Sequence, residues 1–226
     1  MREMFKIALT LGAVALLGAT PAPAQGPRGG FGGGGGGLML LNNPGVREEL
    51  KLTDEQVGKV TKSGQELREK YRDEFASLRD GSSEDRREKG EALMKKVQEE
   101  GKKTYSAILT VDQARRLEQI QRQQNVLHAL TADHVRSQLK LSDEQVPKIK
   151  DIRDDHQKAA REAMRGLGHD ASQDDRRKAF EKVNADRKEA AAKAMAVLTD
   201  GQKATWKELT GEPFEVKWEG PGRGNR

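Results

Sequence analysis

The chain contains no cysteine in its 226 residues. That excludes disulfide stabilisation, thiolate nucleophiles and thiolate metal centres. Aromatic residues make up only 4% and apolar residues 34%, the same share as charged ones. A thick globular core is excluded on that composition; long helices meeting along narrow seams fit it. The one glycine run, Gly32 to Gly37, is a homopolymer with no strand before it, unlike a phosphate-binding loop. No nucleophile is paired with a recognisable base, so no catalytic residues are expected and the chain reads as a non-enzyme. Cations are interleaved with nearly as many acids and aromatics are few, which argues against nucleic acid as a partner.

What is present begins with an export signal over residues 1–24. Arg2 and Lys6 form a positive start, Ile7 to Ala19 an apolar stretch, and Ala22-Pro23-Ala24 a small-residue cleavage site. The apolar stretch is shorter than the ~20 residues a membrane span needs. No span is expected after signal removal, and without a cysteine no lipid anchor either. The expectation is a periplasmic or secreted protein with a mature net charge of +4, from 39 basic and 35 acidic groups. Residues 25–41 read as a Gly-rich flexible linker.

One short motif then occurs four times: Leu52-Thr53-Asp54-Glu55-Gln56, Leu109-Thr110-Val111-Asp112-Gln113, Leu141-Ser142-Asp143-Glu144-Gln145 and Leu198-Thr199-Asp200-Gly201-Gln202. The members of each pair lie 57 residues apart, and the two pairs are offset by 89. Exact spacing of this kind indicates a tandem duplication, with repeats at 42–130 and 131–212 and an extended C-terminal tail at 213–226. Each copy is a helix start. A Thr or Ser hydroxyl caps a backbone N–H, the Gln three residues on reaches back, and acids in the first turn suit the helix dipole. Leu52 with Val57 and Leu141 with Val146 form hydrophobic staples. The simplest role for the motif residues is to start helices.

From Asp54 a long amphipathic helix runs to about Arg79, carrying Val57, Val60, Leu67, Tyr71, Phe75 and Leu78, with Gly64 on the seam as a place for close crossing. Asp80-Gly81 ends it and Ser82-x-x-Asp85 opens the next helix, with Leu93, Met94, Val97, Tyr105 and Ile108. A third helix bears Ala114, Leu117, Ile120 and Leu127. The second repeat follows the same plan: Val146, Ile149, Ile152, His156, Ala159, Ala163 and Leu167; a break at Gly166 and Gly168; a restart at Ser172-x-x-Asp175. Phe180, Val183, Ala190, Ala194 and Val197 follow, then Trp206 and Leu209. Short helices are expected to open at Asn43, with Pro44 at the first helical position, and at Thr131. The fold class expected is all-α: two tandem copies of a thin helical-hairpin or three-helix unit. In the tail, Phe214, Val216 and Trp218 alternate with charged residues, as in a segment packed across the helices.

At its motifs the chain resembles the LTxxQ family of bacterial periplasmic proteins, which includes Spy-like and CpxP-like chaperone and stress proteins. The resemblance covers roughly residues 42 to 210 and rests on the paired motifs, the helical stretches and the export signal. It implies a thin helical protein that binds unfolded or partly folded proteins without ATP, or that acts as an adaptor for an envelope sensor protein. Family members of the Spy type are two-subunit cradles. Two motif pairs in one polypeptide imply a single-chain pseudo-dimer, and Ser142 replaces the family threonine.

A client surface needs apolar side chains interspersed with cations. Candidates are Arg86 and Arg87, matched by Arg176 and Arg177, with Lys95, Lys96, Lys102 and Lys103. Two other roles are open: a periplasmic heavy-metal binding or sensing protein, and a non-catalytic envelope scaffold. For metal, only His128, His134, His156 and His169 are available, with no i, i+4 pair, so no metal site and no cofactor is assigned. His156 falls on the apolar seam.

Overall fold

A computed structural model of the chain describes residues 36–78, 83–168 and 171–217, without the side chains of 83–87. All belong to one compact unit, Gly33–Arg226. The signal at 1–24, the first part of the linker, the Asp80-Gly81 stop, the Ser82 cap, His169 and Trp218 lie outside the described residues.

Among the described residues there are ten helices and no strand: α1 Gly37–Leu40, α2 Pro44–Glu49, α3 Asp54–Ser77, α4 Ser83–Ile108, α5 Val111–Gln124, α6 Val126–Thr131, α7 Asp133–Leu139, α8 Gln145–Arg165, α9 Gln173–Ala196 and α10 Asp200–Thr210. The protein is all-α.

The caps of the four motifs and of α9 are where the sequence places them. Thr53, Thr110, Ser172 and Thr199 each accept from the backbone N–H three residues on, and the side chain at that position returns a bond to the cap's own N–H. Ser142 and Gln145 make the same two bonds, 3.3 and 3.0 Å. Yet α8 begins only at Gln145, leaving Asp143 and Glu144 in a turn. Pro147 is the reason: it has no N–H to close on the Asp143 carbonyl.

Residues 37–41 are not linker. Leu40 and Leu41 are fully buried, in one core with Val46, Val60, Tyr105, Leu117 and Ile120. Leu38, Leu40 and Leu41 are apolar enough to repay ordering, and Gly37 lets α1 come close. A Cβ there would sit 2.5 Å from both the Tyr105 ring and the Gln121 amide. Asn43 caps α2 through Val46 N–H, with Pro44 at its start as expected.

A second core joins Leu127, Leu130, Val135, Leu139, Ile149, Ala194, Leu198 and Trp206. The correspondence starts earlier than the motifs alone indicate. Leu38, Leu41, Val46 and Leu50 recur 89 residues later as Leu127, Leu130, Val135 and Leu139. Lys51 and Lys140 both sit at φ 51°, and Leu52 and Leu141 each donate back to the carbonyl of Arg47 and Arg136. The second short helix opens at Asp133, not Thr131. Thr131 ends α6, and its hydroxyl donates back to the Leu127 and His128 carbonyls. A continuous helix from Ile120 to Leu130 is also absent, because Asn125 (φ −131°, ψ 54°) separates α5 from α6.

The first five helices are joined to the last five through α5 and α10. Arg122 donates to the Leu209 carbonyl (2.8 Å), Gln123 to those of Thr210 and Glu212, and Arg116 to Glu212. The tail then crosses to the first core: Val216 is buried there, Phe214 packs on it, and Asn43 donates to the Lys217 carbonyl.

Each five-helix set projects a long helix pair. In the α3–α4 arm, Leu67, Tyr71 and Leu93 form a buried cluster flanked by Phe75, Leu78 and Val97. Each such side chain stabilises by roughly 1.5–3 kcal/mol. Gly64 makes no close crossing; a Cβ there would meet nothing within 4 Å. The tight glycine of this arm is Gly101, against Leu38. The α8–α9 arm has no corresponding buried cluster among its described residues.

Candidate functional site

The four motifs meet in pairs. Gln56 Nε2 donates to Gln113 Oε1 (2.7 Å), and Gln113 Nε2 donates to Gln56 Oε1 (3.1 Å). The second proton of Gln56 goes to the Ile108 carbonyl and that of Gln113 to the Leu50 carbonyl. Each Oε1 also accepts its own cap N–H, from Thr53 or Thr110. Both donors and both lone pairs of each amide are therefore used. Gln145 and Gln202 repeat the exchange at 2.8 and 2.9 Å, with further bonds to the Val197 and Lys140 carbonyls. Leu109 and Leu198 are buried beside these joints, and Leu52 and Leu141 pack on the two cores. The motif residues tie the start of one helix to the start of another and to the ends of the preceding helices. A pair with no spare donor or acceptor is a joint, with nothing left for a ligand.

Arg176 and Arg177 are exposed near the start of α9. Arg176 Nε donates to the Ala171 carbonyl (3.1 Å), while Arg177 pairs with Asp174 and reaches Glu181 at 4.0 Å. Hydrogen bonding from Lys178, and the charge of Arg177, hold the Asp174 carboxyl below its usual range. Arg86 and Arg87 are in α4, and their side chains lie outside the described ones. Of the lysines, Lys96 lies 3.6 Å from Glu74 and over the Tyr71 ring, and Lys102 lies 3.3 Å from Glu118. Lys95 and Lys103 are exposed.

Two of the four exposed large apolar side chains among the described residues are on the second arm; the others are Val111 (84%) at the start of α5 and Met39 (43%) in α1. Phe180 leaves 54% of its surface to solvent and Met164 38%. The sequence stripe places Phe180 on a seam; the structure leaves it out of the core. The internal comparison shows why. Phe75, 89 residues before Met164, packs on the first arm's cluster, and the residue 90 before Phe180 is Gly90, whose missing Cβ would lie 3.7 Å from Leu78. Tyr71 is answered by Ala160, and Leu67 by His156. The second arm has exchanged large seam residues for alanine and histidine, and it carries its bulky groups outside. Lys158, Arg161, Arg165, Lys178 and Lys182 on the same two helices are exposed, as are Glu162 and Glu181.

His128 and His134 are exposed; His156 is half-buried on α8. Its Nδ1 is sealed from solvent and has no hydrogen-bond partner. Burial, and then the charge of Arg187, push the imidazole below its ordinary pKa; Asp186 opposes them. Among the described residues no three His, Asp or Glu side chains converge to hold a metal ion. None of the described helices is long and apolar enough to cross a membrane.

The glutamine exchange is the feature that sequence reasoning missed; its signal was the 57-residue spacing itself. Arg116, Arg122 and Gln123 were also missed, because their partners are backbone carbonyls, which carry no residue signature. No protein-family description, no curated protein and no solved structure matches this chain.

Proposed function

We propose that this chain is an exported, non-catalytic binding protein built from two copies of one five-helix unit, α1–α5 and α6–α10. Its function is that of an ATP-independent periplasmic chaperone or envelope-stress adaptor. The supporting observation is the α8–α9 arm, where Met164 and Phe180 are exposed on helices that also expose Lys158, Arg161, Arg165, Arg176, Arg177 and Lys182. Exposed apolar groups on helices that also carry exposed cations suit rapid, weak capture of partly folded, acid-bearing chains. The motif resemblance points the same way. Residues 1–24 act as the export signal in this reading, and the two units in one chain stand in for two subunits.

The test is light scattering of a reduced or heated client protein, with and without residues 25–226 and without nucleotide. Near-stoichiometric suppression of aggregation supports the reading. Absence of suppression, with capture of a single stoichiometric partner instead, refutes the chaperone form and leaves an adaptor or scaffold.

A further inference from the structure

The two arms differ most at one seam position. Leu67 is buried between α3 and α4 with Tyr71 and Leu93, 8% exposed. His156 occupies the same position in the second arm, 89 residues on, with Ala159 and Ala160 where Lys70 and Tyr71 stand in the first. We infer that the α8–α9 arm is a pH-sensitive element: protonation of His156 loosens this seam, while the α3–α4 arm stays closed.

The geometry carries the step. A neutral imidazole keeps its proton on Nε2 and leaves Nδ1 as a bare lone pair, the cheaper way to bury that atom without a partner. The imidazolium must place an N–H on the same sealed, unpartnered Nδ1, and a buried unpaired charged donor is strongly disfavoured. From α9, Arg187 opposes the charge and Asp186 favours it. On α8 the charged neighbours within a turn are Arg153, which pairs with Asp154 and donates to Thr131, together with Asp155 and Lys158. α6, also packed on α8, offers only the exposed His128 as a titratable group.

The sign follows from the lowered pKa. The folded arm prefers neutral His156, so its contribution is fully present above the ordinary imidazole value of about 6.5 and is lost as pH falls through the lowered one. In the first arm, Glu100 accepts from Lys70 and Tyr71, both at 2.5 Å, and these bonds hold its carboxyl below the usual range. Asp174 and Glu189 of the second arm are held low by Lys178 and Lys193. These carboxylates stay ionised through the imidazole window, and His156 is the seam group whose burial makes it respond to mild acid.

The experiment is independent of any chaperone activity. Hydrogen exchange of the full chain is followed by mass spectrometry at pH 7.5 and 5.0, corrected for intrinsic rates, beside an NMR titration of the histidines. The expected result is lost protection at pH 5.0 in α8 and α9 with α3 and α4 unchanged. His156 should titrate below the ordinary imidazole value of about 6.5. His156→Leu, which copies the first arm, removes the pH dependence; His156→Gln, a milder uncharged variant, does the same if the leucine overpacks. The inference is overturned if His156 titrates at or above the ordinary imidazole value. It is equally overturned if both variants keep the wild-type loss of protection, or if both arms loosen together.

Discussion

Replacing Gln56 with alanine removes a side chain that takes part in four hydrogen bonds, two of them exchanged with Gln113. Each is worth about 1 kcal/mol net, and the groups left behind are only partly buried, so water recovers some of the loss. A cost of roughly 2–3 kcal/mol is expected for Gln56→Ala, and a similar one for Gln113→Ala. The double variant loses the exchanged pair of bonds once rather than twice. Its cost should therefore fall short of the sum of the singles by on the order of 1–2 kcal/mol. Urea unfolding followed by far-UV circular dichroism measures all four corners of the cycle, with an unchanged m-value as the check that the unfolded reference is constant. The Gln145–Gln202 cycle is an internal replicate, since its amides exchange the same bonds. If both couplings lie within ~0.3–0.5 kcal/mol of zero, the glutamines act as separate caps and the joint does not exist as described.

Glycines divide by environment. Gly211→Ala forces φ 63°, ψ −156° on an alanine and drives its Cβ to within 2.5 Å of the Gln119 amide, so a loss of at least ~1–3 kcal/mol is expected in thermal unfolding. Gly64→Ala, in open space within a helix, should instead stabilise by about 0.5–1 kcal/mol. Arg122→Ala removes a largely buried guanidinium that bonds the Leu209 carbonyl and pairs with Glu118. It should cost about 1.5–3 kcal/mol in thermal unfolding, as one of the bonds between the five-helix sets is lost while those of Arg116 and Gln123 remain. Phe180→Asp lies on the surface and should change stability by no more than about 0.5 kcal/mol while weakening aggregation suppression. Unchanged suppression would remove the second arm from the proposed client surface.

Local chemistry was legible in the sequence because its partners are neighbours. The cap at Thr53 needs only Gln56 three residues on, and Pro44 after Asn43 needs only its own ring and side chain, so both could be read before any fold was known. The long helices followed from periodicity, and the recurrence of the motifs exposed the correspondence between the two sets. Where the reading failed, the deciding group was distant or invisible to pattern. Gly37 to Leu41 looked like the end of a glycine linker, yet contact with Tyr105, 68 residues on, makes it core. Gly64 matched a seam by spacing but faces open space, while Gly101 is the residue that Leu38 approaches.

The sequence by itself determined the long helices, the caps at Thr53, Thr110, Ser172 and Thr199 and the pairing of motifs, because these depend on interactions within a few residues or on exact recurrence. Tertiary structure alone decided that the glutamines of paired motifs bond each other and that Arg122 and Gln123 tie α5 to the end of α10. It also decided that Leu67 is sealed, whereas His156 at the equivalent place keeps a buried, unpartnered nitrogen. Those outcomes depend on which chain segments are brought together across tens of residues, and a backbone carbonyl or an absent neighbour leaves no mark in the residues that meet it.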